Sequence, residues 1–338
     1  ARARTVLRDV STTSKAVFGQ ATWHITEALS AAVGARWSED DKTLKVTLPN
    51  GSLVDVDKAF SSFTPRGELQ YRFSKDVSAY LSVARGFKAG GFNGRAGTVA
   101  SVSTPFDPEK VLTYELGLKS ELLGERLRVN AAYYYNDFTD LQLTSFVGNT
   151  TATFIGNAGG AEVQGIEVEA TAKLGYGFNA FATIATMSDR YTKLDPNSQP
   201  ARLNSNDVPS TPSIAWTLGL DWIRSAGARG SFSAGADVSH RAGYQLGVSP
   251  VPRLRVPSVD LVNAYIGWDS EDGRWQVRLH GTNLGDERYH ETGIQLGTVA
   301  AVSPLGSLLL AVTVSVFGLA AVVGGERDRA LRLPAAAI

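Results

Sequence analysis

A strict alternation of apolar and polar residues recurs in thirteen segments along this chain. A period of two predicts β-strands, because successive Cβ atoms point to opposite faces of a strand. Between Ser213 and Trp222 one face carries large apolar residues and the other carries small or polar ones. The apolar face consists of Ile214, Trp216, Leu218, Leu220 and Trp222, and the other face of Ala215, Thr217, Gly219 and Asp221. Lipid on the first face and water on the second would satisfy both.

A soluble β-sandwich also alternates, so the strand pattern alone does not choose between the two classes. Three further features favour the wall of an outer-membrane barrel: strands of about ten residues, aromatic residues near strand ends, and charges such as Glu167 and Glu169 on the polar face. The predicted fold is therefore all-β, an antiparallel transmembrane β-barrel meander of about 13 strands.

The predicted connections between strands alternate between short and long. The short ones are Thr26 to Ala28, Ser74 to Asp76, Leu123 to Arg126, Gly175 to Gly177, Arg224 to Gly230 and Asp269 to Arg274. The long ones are Glu39 to Phe60, Lys88 to Val111, Gln142 to Gly160, Tyr191 to Pro212, Ala242 to Pro257 and Leu284 to Pro304. Short turns are periplasmic and long loops extracellular in such barrels, so the first strand, near Lys15 to Ile25, and the thirteenth both run downward. Bacterial single-chain barrels have an even strand number, and we therefore expect at least one earlier strand.

Composition excludes several classes of function. The net charge is zero and no basic cluster stands out, so nucleic acid is not an expected partner. Cysteine is absent, which excludes disulfides and thiolate metal sites. The four histidines, His24, His240, His280 and His290, lack metal-ligand spacing, and no metal or cofactor is predicted.

Two patterns resemble catalytic motifs superficially. Glu167 and Glu169 lie two residues apart on one strand face, whereas a glycosidase carboxylate pair flanks a cleft. We expect them to bond to Arg and Lys side chains of neighbouring strands or to protein inside the barrel. The glycine run at Gly86, Gly90, Gly91 and Gly94 lacks phosphate-loop spacing and a following helix, and indicates a loop with unusual backbone angles instead. No set of catalytic residues can be assembled, so an enzyme is not predicted.

Several motifs together resemble the C-terminal barrel portion of TonB-dependent outer-membrane receptors. Phe63 to Arg95 is similar to the receptor strand pair whose outer loop carries a glycine-rich RGF…GGFN run, and Asp107 to Leu141 is similar to the next hairpin. NAGGAEVQGIEVE from Asn157 and NLGDERY from Asn283 are also typical of the family. The resemblance covers roughly Thr12 to Ser303.

The resemblance implies a barrel of about 22 strands around an N-terminal plug. It implies a receptor that imports a ferric siderophore or similar iron complex across the bacterial outer membrane, with energy passed from TonB through a region N-terminal to this chain. Outer-membrane lipid, the ferric siderophore and the TonB complex would be its partners. We expect the chain to be a plug-less part of such a barrel. A passive porin, or an outer-membrane enzyme, is the alternative.

The C-terminus departs from the family pattern. Leu305 to Val323 is 19 residues without a charge, long enough to cross a bilayer as a helix. Alternatively it contains the closing strand, which the β-branched run Val312 to Val316 favours. We predict the strand, with residues 1–317 forming the barrel portion and 318–338 an atypical tail.

Positive and aromatic residues on the outer loops are the predicted ligand contacts, because they suit anionic, ring-bearing ferric chelates. The predicted set is Arg85, Phe87, Lys88, Phe92, Arg95, Tyr191, Arg241 and Tyr244.

Overall fold

The computed structural model describes residues 7–146, 153–157, 159–194, 208–247, 252–296, 299–305 and 309–316. Thirteen long strands form one antiparallel sheet in which the spatial order is the chain order. They are β1 (Arg8–His24), β2 (Leu29–Thr47), β3 (Leu53–Arg72), β4 (Val77–Lys88), β7 (Glu109–Leu122), β8 (Leu127–Thr139), β11 (Gly159–Gly175), β12 (Phe178–Leu194), β13 (Ile214–Ser225), β14 (Ser231–Arg241), β17 (Val259–Asp269), β18 (Trp275–Thr282) and β21 (Leu309–Val316).

Eight short strands pair within the connections at one end of this sheet. They are β5 (Gly91–Phe92) with β6 (Pro105–Phe106), β9 (Gln142–Phe146) with β10 (Thr153–Asn157), β15 (Tyr244–Gln245) with β16 (Arg255–Val256), and β19 (Tyr289–Leu296) with β20 (Val299–Leu305). One short helix, α1 (Val99–Ser103), and two 3-10 turns, Gly227–Arg229 and Pro252–Leu254, complete the described elements. None of the described helices is long and apolar enough to cross a membrane.

The predicted thirteen-strand meander is confirmed. Every long strand pairs with its neighbours in the sheet order, and β1 and β21 lie at its two ends. Among the described residues each of these two edge strands pairs on one side only, so the sheet is open rather than closed into a small barrel.

The two faces of the sheet have the predicted character. Residues directly opposite one another share a face, and one row across β4, β7, β8 and β11 consists of large apolar or aromatic residues. That outer row is Leu81, Leu116, Tyr133 and Ile166, which are 43 to 56 % exposed. The adjacent inner row is Tyr80, Gly117, Ala132 and Glu167. An apolar outer face and a polar inner face are what a barrel wall in lipid requires.

Aromatic residues on the outer face lie at two levels. Near the short turns Tyr71 contacts Phe73 edge to face, with ring centroids 5.0 Å apart, and near the long loops Tyr114 lies 6.4 Å from Tyr135. From Tyr71 to Phe63 along β3 the chain rises about 27 Å. A strand tilt of about 40° reduces this to about 20 Å, close to the apolar band of about 25 Å in outer-membrane barrels.

The short connections fall where they were predicted. The tightest joins β11 to β12 through Gly175, Tyr176 and Gly177, all three of which have positive φ. A Cβ on Gly177 would lie 2.2 Å from the carbonyl oxygen of Ile223, so glycine is required there for space as well as for conformation.

The first long connection was predicted wrongly. Instead of a loop from Glu39 to Phe60, β2 and β3 continue upward and are linked only through residues 48–52. The alternation persists through TLKVT and LVDVD, and the turn carries a positive-φ Gly51 with the Asn50 side chain accepting from the Ser52 amide. The first strand also begins earlier than predicted, at Arg8 rather than near Lys15.

At the other end of the chain the predicted closing strand is present. Leu309–Val316 pairs with β18, Val316 opposite Trp275 and Leu309 opposite Thr282. Its β-branched residues favour this extended conformation over a helix. The proposed 318–338 tail lies outside the described residues, and the domain boundary at residue 317 stays a prediction.

Candidate functional site

The inner face of the sheet surrounds an open hollow of about 650 Å³. Strands from β4 to β17 contribute to its lining, together with Tyr289. Two adjacent rows of opposed residues cross it. One is Glu169, Thr183, Thr217 and Ser239, and the other, one step nearer the long loops, is Glu167, Ala185, Ala215 and Arg241. Polar and small side chains therefore line the hollow on these four strands, and the two rows end at the apolar residues Leu261 and Val259 of β17.

Aromatic rings on this inner face lie flat across glycines of the neighbouring strand. A Cβ on Gly117 would lie 2.2 Å from the ring of Tyr80, and one on Gly219 would lie 2.1 Å from the ring of Phe181. Each glycine thus lets a bulky ring lie along the wall instead of projecting into the hollow. Sequence reasoning missed these pairs, although each becomes visible once the strand register is known.

Two of the inner-face tyrosines also hold carboxylates in place. Tyr80 donates to Glu115 Oε1 at 2.5 Å, and Tyr265 donates to Asp221 Oδ1 at 2.8 Å. Lys119 adds its ammonium group 5.1 Å from the Tyr80 ring centroid. The polar groups of the wall are therefore positioned by one another rather than by a buried core.

Glu167 and Glu169 lie on the inner face, as predicted. Neither carboxylate has a hydrogen-bond or ion-pair partner in the part of the chain that the structure describes, so the expected bonds to neighbouring Arg and Lys side chains are absent there. They line one wall of the hollow with no second carboxylate across a cleft, which is not the arrangement of a glycosidase pair. The described residues also contain no cluster of metal-binding side chains.

Two of the predicted ligand contacts come together at the outer end of the hollow. Arg241 ends β14, and its guanidinium carbon lies 5.2 Å from the Tyr244 ring centroid and 6.0 Å from that of Tyr289. The two cation–π contacts position the guanidinium at the edge of the hollow, which Arg241 and Tyr289 both line. Tyr289 was not predicted, although it ends the NLGDERY motif that marks this connection.

The remaining predicted contacts are dispersed. RGFK continues β4, so the strand alternation places Arg85 and Phe87 on the outer face, opposite Leu112 and Lys110. Lys88 lies on the inner face opposite Glu109, and Tyr191, still within β12, lies on the inner face opposite Ala161. Phe92 packs against a buried apolar cluster, and Arg95 is exposed on the loop that follows. Ligand contact stays a prediction for each of the eight residues.

The glycine run does not have the unusual backbone angles that were expected. None of Gly86, Gly90, Gly91 and Gly94 has a positive φ. Glycine is needed at Gly90 for close packing instead, because a Cβ there would lie 2.3 Å from the Phe60 ring and 2.4 Å from the Phe106 carbonyl oxygen.

A charged group on the outer face lies beyond the upper aromatic level, outside the membrane band. Arg190 donates through Nε and Nη2 to Glu162 Oε2 at 2.8 and 2.5 Å. This guanidinium, with a smaller contribution from the Tyr135 hydroxyl, lowers the pKa of Glu162 below its ordinary value.

Comparison with known proteins identifies the architecture. Residues 3–284 match the family model described as TonB dependent receptor-like, beta-barrel. The pesticin receptor of Yersinia enterocolitica is 26 % identical over 301 residues, covering 84 % of this chain and 41 % of the receptor. The ferrichrome outer membrane transporter/phage receptor of Escherichia coli is 23 % identical over 275 residues, covering 80 % and 32 %.

Solved structures agree on the fold. The ferric yersiniabactin uptake receptor FyuA of Yersinia pestis superposes with a TM-score of 0.78 at 21 % identity, covering 92 % of this chain and 46 % of that one. The siderophore receptor PiuA of Acinetobacter baumannii gives a TM-score of 0.74 at 18 % identity, covering 91 % and 44 %. The chain spans less than half the length of these receptors and transporters. With its thirteen-strand wall and the family match over most of its length, the chain belongs to the TonB-dependent receptor family, of which it forms part of the β-barrel.

Proposed function

We propose that the gene product carrying this chain is an outer-membrane receptor that imports a ferric siderophore or a similar iron complex, energised by TonB. The family match and the names of the relatives, which include a ferrichrome transporter and a ferric yersiniabactin receptor, support this assignment. The segment that contacts TonB would lie elsewhere in the gene product, and outer-membrane lipid would contact the apolar outer face.

The observation that carries the ligand class is Arg241 between Tyr244 and Tyr289 at the outer end of the hollow. Ferric chelates of this kind are often anionic and ring-bearing, so a guanidinium flanked by aromatic rings offers both ion pairing and stacking. Lys88 and Tyr191 share the inner face and would approach the same ligand from other strands. Convergent contacts from several strands are what affinity for such a ligand requires.

A growth assay tests the transport function. Cells that lack their own siderophore receptors, grown on iron-limited medium with a supplied ferric siderophore, should grow when they express the gene product that carries this chain. The 338-residue chain alone should not restore growth, because its described strands form an open sheet and it spans less than half the length of the receptors that it resembles. Growth rescue by the chain alone would contradict this, and failure of the gene product with all siderophore classes would point to cobalamin, haem or a sugar.

A substitution tests the ligand-binding group. Arg241→Gln in the gene product should weaken binding of the ferric siderophore that supports growth about tenfold, because it removes the charge and the cation–π contacts. Arg224→Gln is the matched control, since Arg224 lies at the short-turn end of β13, away from the long connections, and should leave the affinity unchanged. Equal losses for the two variants would remove Arg241 from the site.

A further inference from the structure

Three outer connections that are far apart in the sequence converge at the top of the sheet near β1 to β8. They are the tip of the β2–β3 hairpin (residues 42–58), the loop between β4 and β7 (residues 89–108) and the β9–β10 hairpin. Together they are called the outer latch. Three separate kinds of contact hold it together.

The first is a small apolar core. Leu44, Val46, Leu48 and Val54 of the β2–β3 tip pack with Ala96 and Val102 of the loop, with Phe92 and Val56 against them. All six core members are at most 5 % exposed, and they form the one buried apolar cluster found among the described residues. Burial of this kind resists separation of the two segments, because opening would return the apolar surface to water.

The second contact is the side-chain amide of Asn93, which is 4 % exposed. Its Nδ2 donates to the carbonyl oxygen of Ile155 at 3.0 Å, and its Oδ1 accepts from the amide of Ile155 at 2.6 Å. One side chain of the loop thus forms a two-way pair with the backbone of β10. A buried amide that loses both partners would carry a desolvation penalty, so the pair holds the loop to the hairpin.

The third contact involves Gln142 and Asn157, at the two ends of the β9–β10 hairpin. Gln142 Nε2 donates to the carbonyl oxygens of Ala89 and Asp107 at 3.1 and 3.0 Å, which are the two ends of the loop. Asn157 accepts from the Asp107 amide at 2.8 Å and donates back to its carbonyl oxygen at 2.9 Å. The base of the loop is therefore bonded to the hairpin on both sides.

We infer that the outer latch opens only as one cooperative unit, so that the glycine-rich loop does not open independently of the other two segments. A loop with few buried contacts opens locally at little cost. This loop can open only if the apolar core is separated and the side-chain amide bonds of Asn93, Gln142 and Asn157 are broken. The inference goes beyond the proposed transport function, and its test requires no ligand.

Hydrogen–deuterium exchange of the gene product in detergent micelles, without ligand, tests this coupling. Asn93→Leu removes both bonds to Ile155 at nearly constant volume, and we expect exchange about tenfold faster or more in residues 89–108, in β10 and in residues 42–58 together. Asn50→Ala is the matched control, because the Asn50 side chain caps only its own turn at Ser52. Exchange in that variant should change only within the turn at residues 48–52.

Gln142→Leu provides a second perturbation from a different segment, and should accelerate exchange in the same three segments. The backbone amides of the wall strands β11 and β12, measured in the same sample, should remain protected from exchange. This shows that the sheet is still folded. The inference is overturned if residues 89–108 exchange in the unsubstituted protein as fast as an unstructured peptide. It is also overturned if each substitution affects only its own segment in samples whose wall is intact.

Discussion

The barrel wall and the outer latch direct their apolar residues in opposite directions. In the wall, Leu116 and Ile166 are 56 and 50 % exposed on the outer face, while in the latch Leu44 and Val102 are 2 and 0 % exposed. The same period-two pattern runs through both, since β2 and β3 pass from one region into the other without a break. Alternation therefore specifies that a strand has two faces, and the surroundings of the strand decide which face is covered by protein and which by lipid.

The largest expected effect tests the wall. Leu218→Arg places a charge on the outer face of β13 and should cost about 2 to 4 kcal/mol of barrel stability if the site is near the bilayer midplane. Thr217→Arg, on the inner face one residue away, should cost much less. Folding titrations in lipid vesicles measure both. Equal penalties would mean that the faces are assigned wrongly.

A smaller effect is expected in the latch. Leu44→Ala removes a buried side chain from the apolar core and should destabilise the latch by about 2 kcal/mol or more. Because the latch lies above the lipid, protease cleavage within residues 89–108 should become faster while the wall stays resistant. Leu53→Ala, on the same hairpin but 71 % exposed, should leave the cleavage rate unchanged. Loss of wall protection in Leu44→Ala would show that the two regions are not separable.

A third prediction concerns the aromatic rings that lie flat on the inner face. Gly117→Ala would place a methyl group against the Tyr80 ring and should cost about 1 to 3 kcal/mol, because the ring must move into the hollow and release Glu115. Gly67→Ala is the control, since a Cβ there meets no atom within 4 Å. Vesicle folding titrations of the two variants give the difference, and equal stabilities would show that the ring moves without cost.

Sequence reasoning succeeded for the wall and failed for the latch for one physical reason. The wall depends on local alternation and on turns such as Gly175 to Gly177, which are visible within a few residues. The latch depends on partners far apart in the chain, such as Asn93 with Ile155, whose pairing no local pattern indicates. Arg85 and Phe87 were placed on a loop because the glycine run after them suggested one, whereas strand β4 includes both and turns them outward.

The smallest expected effect lies at the border between wall and latch, in the ion pair of Arg190 with Glu162. Arg190 lowers the pKa of Glu162. The ion pair therefore stabilises the loop-side ends of β11 and β12 at pH values above the ordinary carboxyl pKa, and this contribution is lost as the pH falls through the lowered value. Arg190→Gln should therefore raise the pKa of Glu162 toward its ordinary value. The stability of the loop-side ends of β11 and β12 should then no longer depend on pH in the acidic range. Carboxyl chemical shifts of labelled glutamate, followed through a pH titration, measure the change, with Arg224→Gln on the distant part of β13 as control. Because the Arg190 side chain is 72 % exposed, the change in overall stability should be slight. An unchanged Glu162 titration in Arg190→Gln would show that solvent, rather than the neighbouring guanidinium, sets the properties of this carboxylate.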